Sequence, residues 1–263
     1  MSENSDHYED KFIAFLEVMW GDGYLSPGGA AEIRRLLEGI DLVGKEVLDI
    51  GCGSGGITVL LATEFGAARV IGVDVEEPVC RHARETAVRA GAADRVDIRQ
   101  ISPDEPIPLP DGSLDIVFSK DSIVHIPDKE TLAQQAFRLL KPGGWFVASD
   151  WLISHDGPPS PEMADYIRRE DLDFGMASPR RYQKALAAAG FVNIHLNNRN
   201  PWYLAKAKGE LARMQGPERP QFDATLGHEG IEEQIELWQA MLVVLATGEH
   251  CPHHFRAQKP GNS

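Results

Sequence analysis

Residues 47–56 read VLDIGCGSGG, an apolar run that leads directly into four glycines within six residues. The apolar part predicts a β-strand, and the residues that follow predict a helix over 56–65. Glycines at such a turn let the backbone approach a ligand closely, and the start of a helix offers free N–H groups. The segment therefore predicts a nucleotide-binding loop in an α/β protein, with a tight turn that binds nothing as the alternative.

An acidic residue just before the loop bears on which nucleotide it binds. Gly51, Gly53 and Gly56 satisfy the GxGxxG pattern of NAD-binding proteins, and Asp74 follows 23 residues after Gly51, where a ribose-binding acid belongs. Asp49, however, would lie close to the pyrophosphate of a dinucleotide and repel it. S-adenosylmethionine has no phosphate and carries an ammonium group, so Asp49 favours it over NAD.

Short apolar runs and helical patterns alternate between Lys45 and Asp150. This alternation is typical of a parallel, doubly wound sheet covered by helices on both faces. The predicted strands are EVLDI, RVIGVD, VDIRQ, LDIVFS and WFVASD. The predicted helices between them cover 56–65, 76–90 and 128–140.

Composition narrows the class of partner. The chain has 263 residues, with 26 Lys and Arg against 40 Asp and Glu, for a net charge of −14. Nucleic acid and anionic membranes are bound through clusters of basic residues, so this balance favours a small-molecule partner over either. The start MSENSDHYED lacks the basic and apolar regions of a signal peptide, and three widely spaced cysteines suit reduced thiols. We expect a cytoplasmic protein.

Four segments together resemble the class I S-adenosylmethionine-dependent methyltransferases: VLDIGCGSGG, VIGVD, PDGSLDIVFSKD and LLKPGGWFVASD. The resemblance implies S-adenosylmethionine as cofactor and a Rossmann-like α/β fold. Its seven-stranded sheet would have an antiparallel last strand, with FVNIHL and HHFRAQK as the final two strands. We expect N-terminal lid helices over 1–40 and a methyltransferase domain over 41–263, with a helical insertion after strand 5, at about 151–178, that covers the substrate.

The same resemblance implies the cofactor contacts. The methionine part is expected to contact Asp49, Gly51 and Gly53. The ribose is expected to contact Asp74 and Val75. In this family the acid that contacts adenine belongs to a Gly-Asp pair after the third strand. This chain has Ser-Pro-Asp-Glu over 102–105 instead, which makes Asp104 the candidate.

Asp121 and His125 lie four residues apart, directly after the predicted fourth strand. Ligands of open α/β sheets bind at this edge. Methyl transfer to an amine needs a nitrogen lone pair, and a histidine titrates near neutrality and can take the proton. A nearby carboxylate can orient the amine and stabilise positive charge as it develops. The pair therefore suggests a catalytic site, with a structural histidine as the alternative.

Nearly the whole chain resembles two related groups, the phosphoethanolamine N-methyltransferases and the sarcosine/dimethylglycine N-methyltransferases. The segments that carry this resemblance are HYEDKF, GYLSPGG, SKDSIVH, SPRRYQKALAAAGF and HFRAQKP. It implies that Tyr8 pairs with His125 as a latch over the closed site and that Asp121 faces the amine. Further roles implied are cofactor contacts by Leu25, Ser26 and Lys120, and a pocket wall at Tyr166.

The chain departs from the phosphoethanolamine pattern where that family binds phosphate. Trp151 stands in place of a tyrosine, Leu172 in place of a tyrosine and Glu170 in place of an arginine, and Gln234 lies near the place of a lysine. Trp151 could instead contact a methylated ammonium through its ring. Without those donors a phosphate group would be poorly neutralised, which disfavours phosphoethanolamine itself. A carboxylated amine of the sarcosine or dimethylglycine kind, met by Arg169 or its neighbours Arg168, Arg180 and Arg181, is better supported. A more cationic amine met by Glu170, Asp171 and Asp173 stays open.

The sequence thus predicts a methyltransferase that acts on a small polar amine, either sarcosine-like and dimethylglycine-like or phosphoethanolamine-like. Transfer to oxygen, sulfur or carbon is an alternative, as are an NAD-dependent oxidoreductase and a noncatalytic cofactor-binding module. A metal site is suggested by four closely spaced residues: His250, Cys251, His253 and His254. Neighbouring residues on a strand point to opposite faces, so His253 and His254 could not easily bind the same ion, and we expect no metal. The acceptor and the oligomeric state stay open.

Overall fold

The computed structural model describes residues 10–103, 105–170 and 174–261. The chain divides into two compact units between Pro108 and Leu109. Over the described residues the helices and strands form one α/β fold, with seven strands in a sheet of order β3-β2-β1-β4-β5-β7-β6. Within the described ranges, no helix is both long and apolar enough to span a membrane.

The first unit begins with two helices and continues as alternating strands and helices. Its elements are α1 (Asp10–Trp20), α2 (Gly29–Leu36), β1 (Glu46–Ile50), α3 (Gly56–Thr63), β2 (Arg69–Asp74), α4 (Glu77–Arg89) and β3 (Val96–Gln100). Both β1 and β3 pair with β2 in parallel. The buried centres of β1 and β2, including Val47, Leu48 and Val70, show why these runs are apolar on both sides: helices cover both faces.

The second unit adds four strands and five helices among its described residues. They are β4 (Leu114–Lys120), α5 (Lys129–Leu139), β5 (Leu140–Asp150), α6 (Pro161–Glu170), α7 (Pro179–Ala189), β6 (Val192–Asn198), α8 (Asn200–Gln215), α9 (Arg219–Thr247) and β7 (His253–Gln258). A short 3₁₀ turn covers Ile123–His125. Strands β4 and β5 are parallel, while β7 is antiparallel to both of its neighbours, β5 and β6.

The predicted fold class is confirmed: FVNIHL and HHFRAQK supply the last two strands, and the final strand is antiparallel. Local chemistry sets several boundaries. Ser178 accepts a hydrogen bond from the Arg181 N–H at the start of α7, and Gly190 ends that helix at φ 102°. Helix α9 consists of two helical segments that join across a kink at Gly227, where φ is 76°.

In the first unit, the backbone of the loop between α1 and α2 contacts the backbone at the start of α3. The Gly56 N–H donates to the Gly23 carbonyl at 2.9 Å, and the Gly23 N–H donates to Glu17 Oε1 at 2.9 Å. A Cβ atom at Gly56 would lie 2.5 Å from the Gly23 oxygen, which is well inside van der Waals contact. Two glycines are therefore required at this contact.

We expect Gly56→Ala to destabilise the protein by roughly 1–3 kcal/mol, because the methyl group must push the two backbones apart. The matched control is Gly209→Ala in α8, where an added Cβ meets nothing within 4 Å. That change should stabilise the helix by about 0.5–1 kcal/mol. Urea unfolding measures both. Equal stability of Gly56→Ala and the natural protein would contradict the close packing described here.

Candidate functional site

The glycine loop of the first unit turns sharply after β1. The Gly51 and Cys52 N–H groups both donate to the Val73 carbonyl, at 2.8 and 3.0 Å. Gly53 has φ 52°, a conformation that side chains other than glycine adopt rarely. A Cβ at Gly53 would lie 3.0 Å from Leu25 Cδ1. The structure thus brings Leu25, a predicted cofactor contact that Ser26 follows directly, against the predicted glycine loop.

Asp74, at the end of β2, is hydrogen-bonded to this loop and to the residues after it. Its Oδ2 accepts from the Gly53 N–H at 3.0 Å, and its Oδ1 accepts from the Val75 and Glu76 N–H groups at 2.8 and 3.2 Å. Burial nevertheless raises the pKa of the Asp74 carboxyl, against the opposing effect of these hydrogen bonds. The three backbone donors fix the orientation of the carboxylate predicted to bind ribose.

Asp49 is buried, with 2% of its surface exposed. The Thr58 hydroxyl donates a hydrogen bond to Asp49 Oδ2 at 2.7 Å. Burial is the main cause that raises the pKa of Asp49 to about 7, and the charge of Asp74 adds to it, while the Thr58 hydrogen bond lowers it. A cationic ligand beside this carboxylate would favour its ionised form.

Ser54 lies in the same loop and is 1% exposed, and its hydroxyl oxygen has no hydrogen-bond partner among the described residues. Buried polar atoms are almost always hydrogen-bonded in folded proteins. An unsatisfied hydroxyl in a glycine loop beside the buried carboxylates of Asp49 and Asp74 suits a polar ligand. The residues of this unit therefore fit a cofactor with an ammonium group and hydroxyls.

In the second unit, Asp121 directly follows β4 with φ 55°, a left-handed conformation that aspartate tolerates better than most residues. Its N–H donates to the Ser149 carbonyl at 2.7 Å, which holds the turn against β5. The Ser149 hydroxyl donates to Asp121 Oδ1 at 2.6 Å, and the Tyr203 hydroxyl donates to Oδ2 at 2.8 Å. Lys120 forms an ion pair with the same carboxylate, and both side chains are at most 2% exposed.

Tyr203 connects Asp121 to a group of aromatic rings. Its ring packs edge-on against Trp151 with centroids 4.7 Å apart. Trp151 stacks on His250 at 5.1 Å, and Tyr166 lies 5.3 Å from His250. The predicted residues Asp121, Trp151 and Tyr166 therefore belong to one connected cluster of side chains.

His125, in the 3₁₀ turn after β4, joins this cluster through Phe174. The His125 and Phe174 rings are 5.4 Å apart, and Phe174 lies 6.3 Å from Tyr166. Tyr8, the expected latch partner of His125, lies outside the described residues, as does Asp104, the expected adenine contact.

Arg169 is engaged outside this cluster. Its guanidinium donates to Asp165 Oδ2 at 2.7 Å, four residues earlier on α6, and pairs with Glu236 at 3.3 Å. Glu170, the next residue, accepts a hydrogen bond from the Tyr166 hydroxyl at 2.6 Å, and burial raises its pKa to about 7. The titratable group bonded to the Tyr166 hydroxyl is therefore a carboxyl and not a cation.

Two residues of the cluster, Tyr203 and His250, are not among the predicted site residues. Tyr203 follows the apolar run of β6 as one of two adjacent aromatics, a pattern that packing alone also produces. His250 is weighed only as a metal ligand, and its Nδ1 instead hydrogen-bonds the Leu152 carbonyl at 3.1 Å. The part of the chain that the structure describes holds no group of three or more His, Cys, Asp or Glu side chains suited to a metal ion.

Comparisons with known proteins agree with this geometry. A family model described as a methyltransferase domain matches residues 47–144. The 27-O-demethylrifamycin SV methyltransferase of Amycolatopsis mediterranei (strain S699) is 32% identical, and the match covers 83% of this chain and 87% of the relative. Phosphoethanolamine N-methyltransferase 1 of Zea mays is 30% identical over 92% of this chain and 47% of the relative.

A solved structure is also similar: Haemonchus contortus phosphoethanolamine N-methyltransferase 2 in complex with phosphomonomethylethanolamine and S-adenosylhomocysteine. It superposes with a TM-score of 0.89 at 27% identity, over 98% of this chain and 59% of that one. The chain belongs to the class I S-adenosylmethionine-dependent methyltransferases. It spans about half the length of curated phosphoethanolamine relatives such as the Zea mays protein.

The buried carboxyl of Asp49 gives a stability prediction. Its raised pKa means that the folded protein binds more protons than the unfolded chain between the ordinary value of 3.8 and about 7. This stabilisation is present at low pH and is lost as the pH rises toward 7. An asparagine side chain cannot ionise, so the stability of Asp49→Asn relative to the natural protein should rise by on the order of 2 kcal/mol between pH 5 and pH 7.

Urea unfolding at several pH values, without ligand, measures this difference. Taking the difference cancels the shared contributions of other buried carboxyls such as Asp150. The control is Asp94→Asn, whose side chain is 77% exposed and whose stability difference should stay flat. A flat difference for Asp49→Asn as well would show that Asp49 titrates normally.

Proposed function

We propose that this protein transfers a methyl group from S-adenosylmethionine to the nitrogen of a small polar amine. The observation that carries the proposal is the buried carboxylate of Asp121 at the end of β4, hydrogen-bonded by Tyr203 and Ser149 and joined to an aromatic cluster. A carboxylate that is fixed beside aromatic faces suits a positively charged group, through both its charge and the ring quadrupoles.

All but one of the residues that would bind the cofactor are in the first unit, and Lys120 is in the second. Asp49 would pair with the ammonium group of the methionine part, and Gly51 and Gly53 would let that part approach the backbone. Asp74 would accept hydrogen bonds from the ribose hydroxyls, beside Val75. Leu25, which contacts the glycine loop, and Ser26 would close over the cofactor, while Lys120 would contribute a backbone contact and Asp104 the adenine contact. S-adenosylmethionine, when bound, supplies an electrophilic methyl group on a positively charged sulfur.

All but one of the residues that would act on the amine are in the second unit, and Tyr8 is in the first. Asp121 orients the amine and stabilises positive charge on nitrogen as the N–C bond forms and the C–S bond breaks. His125 would accept the proton that the nitrogen loses. Tyr8 would pair with His125 as a latch, and Trp151 and Tyr166 would form the pocket wall.

The contacts of the second unit indicate which acidic group, a phosphate or a carboxylate, the amine could carry at its other end. A phosphate needs several cationic donors, yet Glu170 stands at the place of the expected arginine and hydrogen-bonds Tyr166. Arg169 could meet the carboxylate of a sarcosine-like or dimethylglycine-like amine only by leaving Asp165 and Glu236. Phosphoethanolamine-like acceptors are favoured by the similarity to phosphoethanolamine enzymes, and both acceptor classes stay within the proposal.

Oxygen is the second candidate acceptor atom. The Amycolatopsis relative is similar over most of both chains, and its name refers to an O-demethyl compound. His125 could accept the proton of a hydroxyl group as well as that of an amine. The acceptor assay below separates the two.

The proposal also includes the lid helices over 1–40 and the helical insertion at about 151–178. Their closure would exclude water and align nitrogen, methyl carbon and sulfur. We also propose a cytoplasmic location and a small-molecule partner. Three free, buried cysteines and a net charge of −14 support these two points.

An assay with a labelled methyl donor tests the acceptor class. The panel is sarcosine, dimethylglycine and phosphoethanolamine, with glycolate and phosphoglycol as matched hydroxyl compounds that lack nitrogen. We expect label to reach at least one amine and neither hydroxyl compound. Transfer only to hydroxyl compounds would replace the nitrogen proposal with the oxygen one, and preferential binding of NAD over S-adenosylhomocysteine would remove both.

His125→Ala tests the role of the proposed base. We expect kcat to fall by roughly 10²–10⁴-fold, the range that proton transfer contributes, while the Kd of S-adenosylhomocysteine changes little. The matched control is His195→Ala on β6, where the histidine is exposed; both parameters should be unchanged there. Equal losses of turnover and cofactor affinity in His125→Ala would show a structural role for His125.

A further inference from the structure

His250 is a fully buried histidine that the proposed reaction does not use. It lies between α9 and β7 and is 0% exposed. Its Nδ1 is 3.1 Å from the Leu152 carbonyl oxygen. A carbonyl only accepts hydrogen bonds, so Nδ1 carries a proton. Burial lowers the pKa of His250 to about 4, so the ring is neutral at pH 7 and Nε2 holds a free lone pair.

That lone pair has no hydrogen-bond partner among the described residues. A buried acceptor without a partner costs roughly 1–3 kcal/mol, and such groups are rare in folded proteins. The two rings packed on His250 are Trp151 and Tyr166, both already expected to line the substrate pocket. The unsatisfied atom therefore belongs to the aromatic cluster that borders Asp121.

The charged groups around His250 define what could bind there. Asp121 acts on it electrostatically, and the hydroxyl of Tyr166, whose ring packs against it, donates a hydrogen bond to Glu170. The ammonium group of Lys120 is already paired with Asp121. Phosphate and carboxylate oxygens have no proton to donate to the Nε2 lone pair at neutral pH, and neither acid attracts them. An N–H group, above all one that carries positive charge, can donate a hydrogen bond to the Nε2 lone pair next to these carboxyl groups.

We propose that His250 is a substrate-binding residue whose Nε2 accepts a hydrogen bond from an N–H group of the amine, between the rings of Trp151 and Tyr166. This inference rests on the proposed function and deepens it. It identifies the feature that selects the substrate at this position as a nitrogen-bound hydrogen, which sarcosine and phosphoethanolamine always carry and dimethylglycine carries only when protonated. The aromatic rings hold the histidine in place, and the Leu152 carbonyl fixes which nitrogen is the acceptor.

Two substitutions separate the two ring nitrogens. In His250→Asn, the shorter amide places its NH₂ group near the position of Nδ1, so donation to Leu152 is kept and the Nε2 acceptor is lost. In His250→Gln, the longer amide reaches the position of Nε2 and offers an oxygen there. His253→Asn is the matched control, because His253 is also buried and its Nδ1 hydrogen-bonds a backbone carbonyl, that of Cys251, at 2.6 Å.

Calorimetry of sarcosine, dimethylglycine and phosphoethanolamine, each with saturating S-adenosylhomocysteine, measures amine binding without turnover. We expect His250→Asn to weaken amine binding roughly five- to tenfold, the effect of one lost hydrogen bond. His250→Gln should recover part of this loss, and His253→Asn should bind the amines normally. The Kd of S-adenosylhomocysteine should stay within about twofold in all three variants.

Each other outcome has a definite meaning. Unchanged amine binding by His250→Asn overturns the proposal and leaves Nε2 to a buried water. Loss of cofactor affinity and thermal stability that His250→Gln does not restore also overturns it, in favour of a structural role. Binding of none of the three amines by the natural protein overturns it too. Amine binding without methyl transfer refutes only the proposed function and leaves the role of His250 standing.

Discussion

Buried carboxylates at the ends of parallel strands are the constraint around which both units are organised. Asp49 and Asp74 are in β1 and β2 of the first unit, and Asp121 and Asp150 follow or end β4 and β5 of the second. An ionised carboxylate out of water is unfavourable unless donors surround it. Backbone N–H groups around Asp74, the Thr58 hydroxyl at Asp49 and the Tyr182 hydroxyl at Asp150 provide such donors. Asp121 also has the ammonium group of Lys120.

The glycine loop and the strand pattern could be predicted from the sequence because their causes are local. An apolar run followed by closely spaced glycines forces a turn at a strand end, and strands covered on both faces read as continuous apolar segments. The engagement of Arg169 also has a local cause, since Asp165 lies four residues earlier on the same helix and forms the usual i,i+4 pair. An arginine so placed is a weaker candidate for a ligand than its charge suggests.

Tyr203 and His250 could not be predicted as site residues because their position depends on tertiary packing. Tyr203 is on α8 and His250 lies after α9, and each reaches Trp151 only once the strands β5, β6 and β7 have paired. No spacing in the sequence records that pairing. Local patterns thus predict the glycine loop better than the composition of the aromatic cluster.

The backbone conformation of Asp121 limits which side chains, and so which charges, this position can carry. With φ at 55°, the residue occupies a conformation open mainly to aspartate, asparagine and glycine. Glutamate, serine or any branched side chain would strain the turn that the Ser149 carbonyl holds. Substitution at this position is therefore restricted by the backbone. Asparagine would remove the charge and keep the conformation, whereas a longer or shorter side chain would strain the turn.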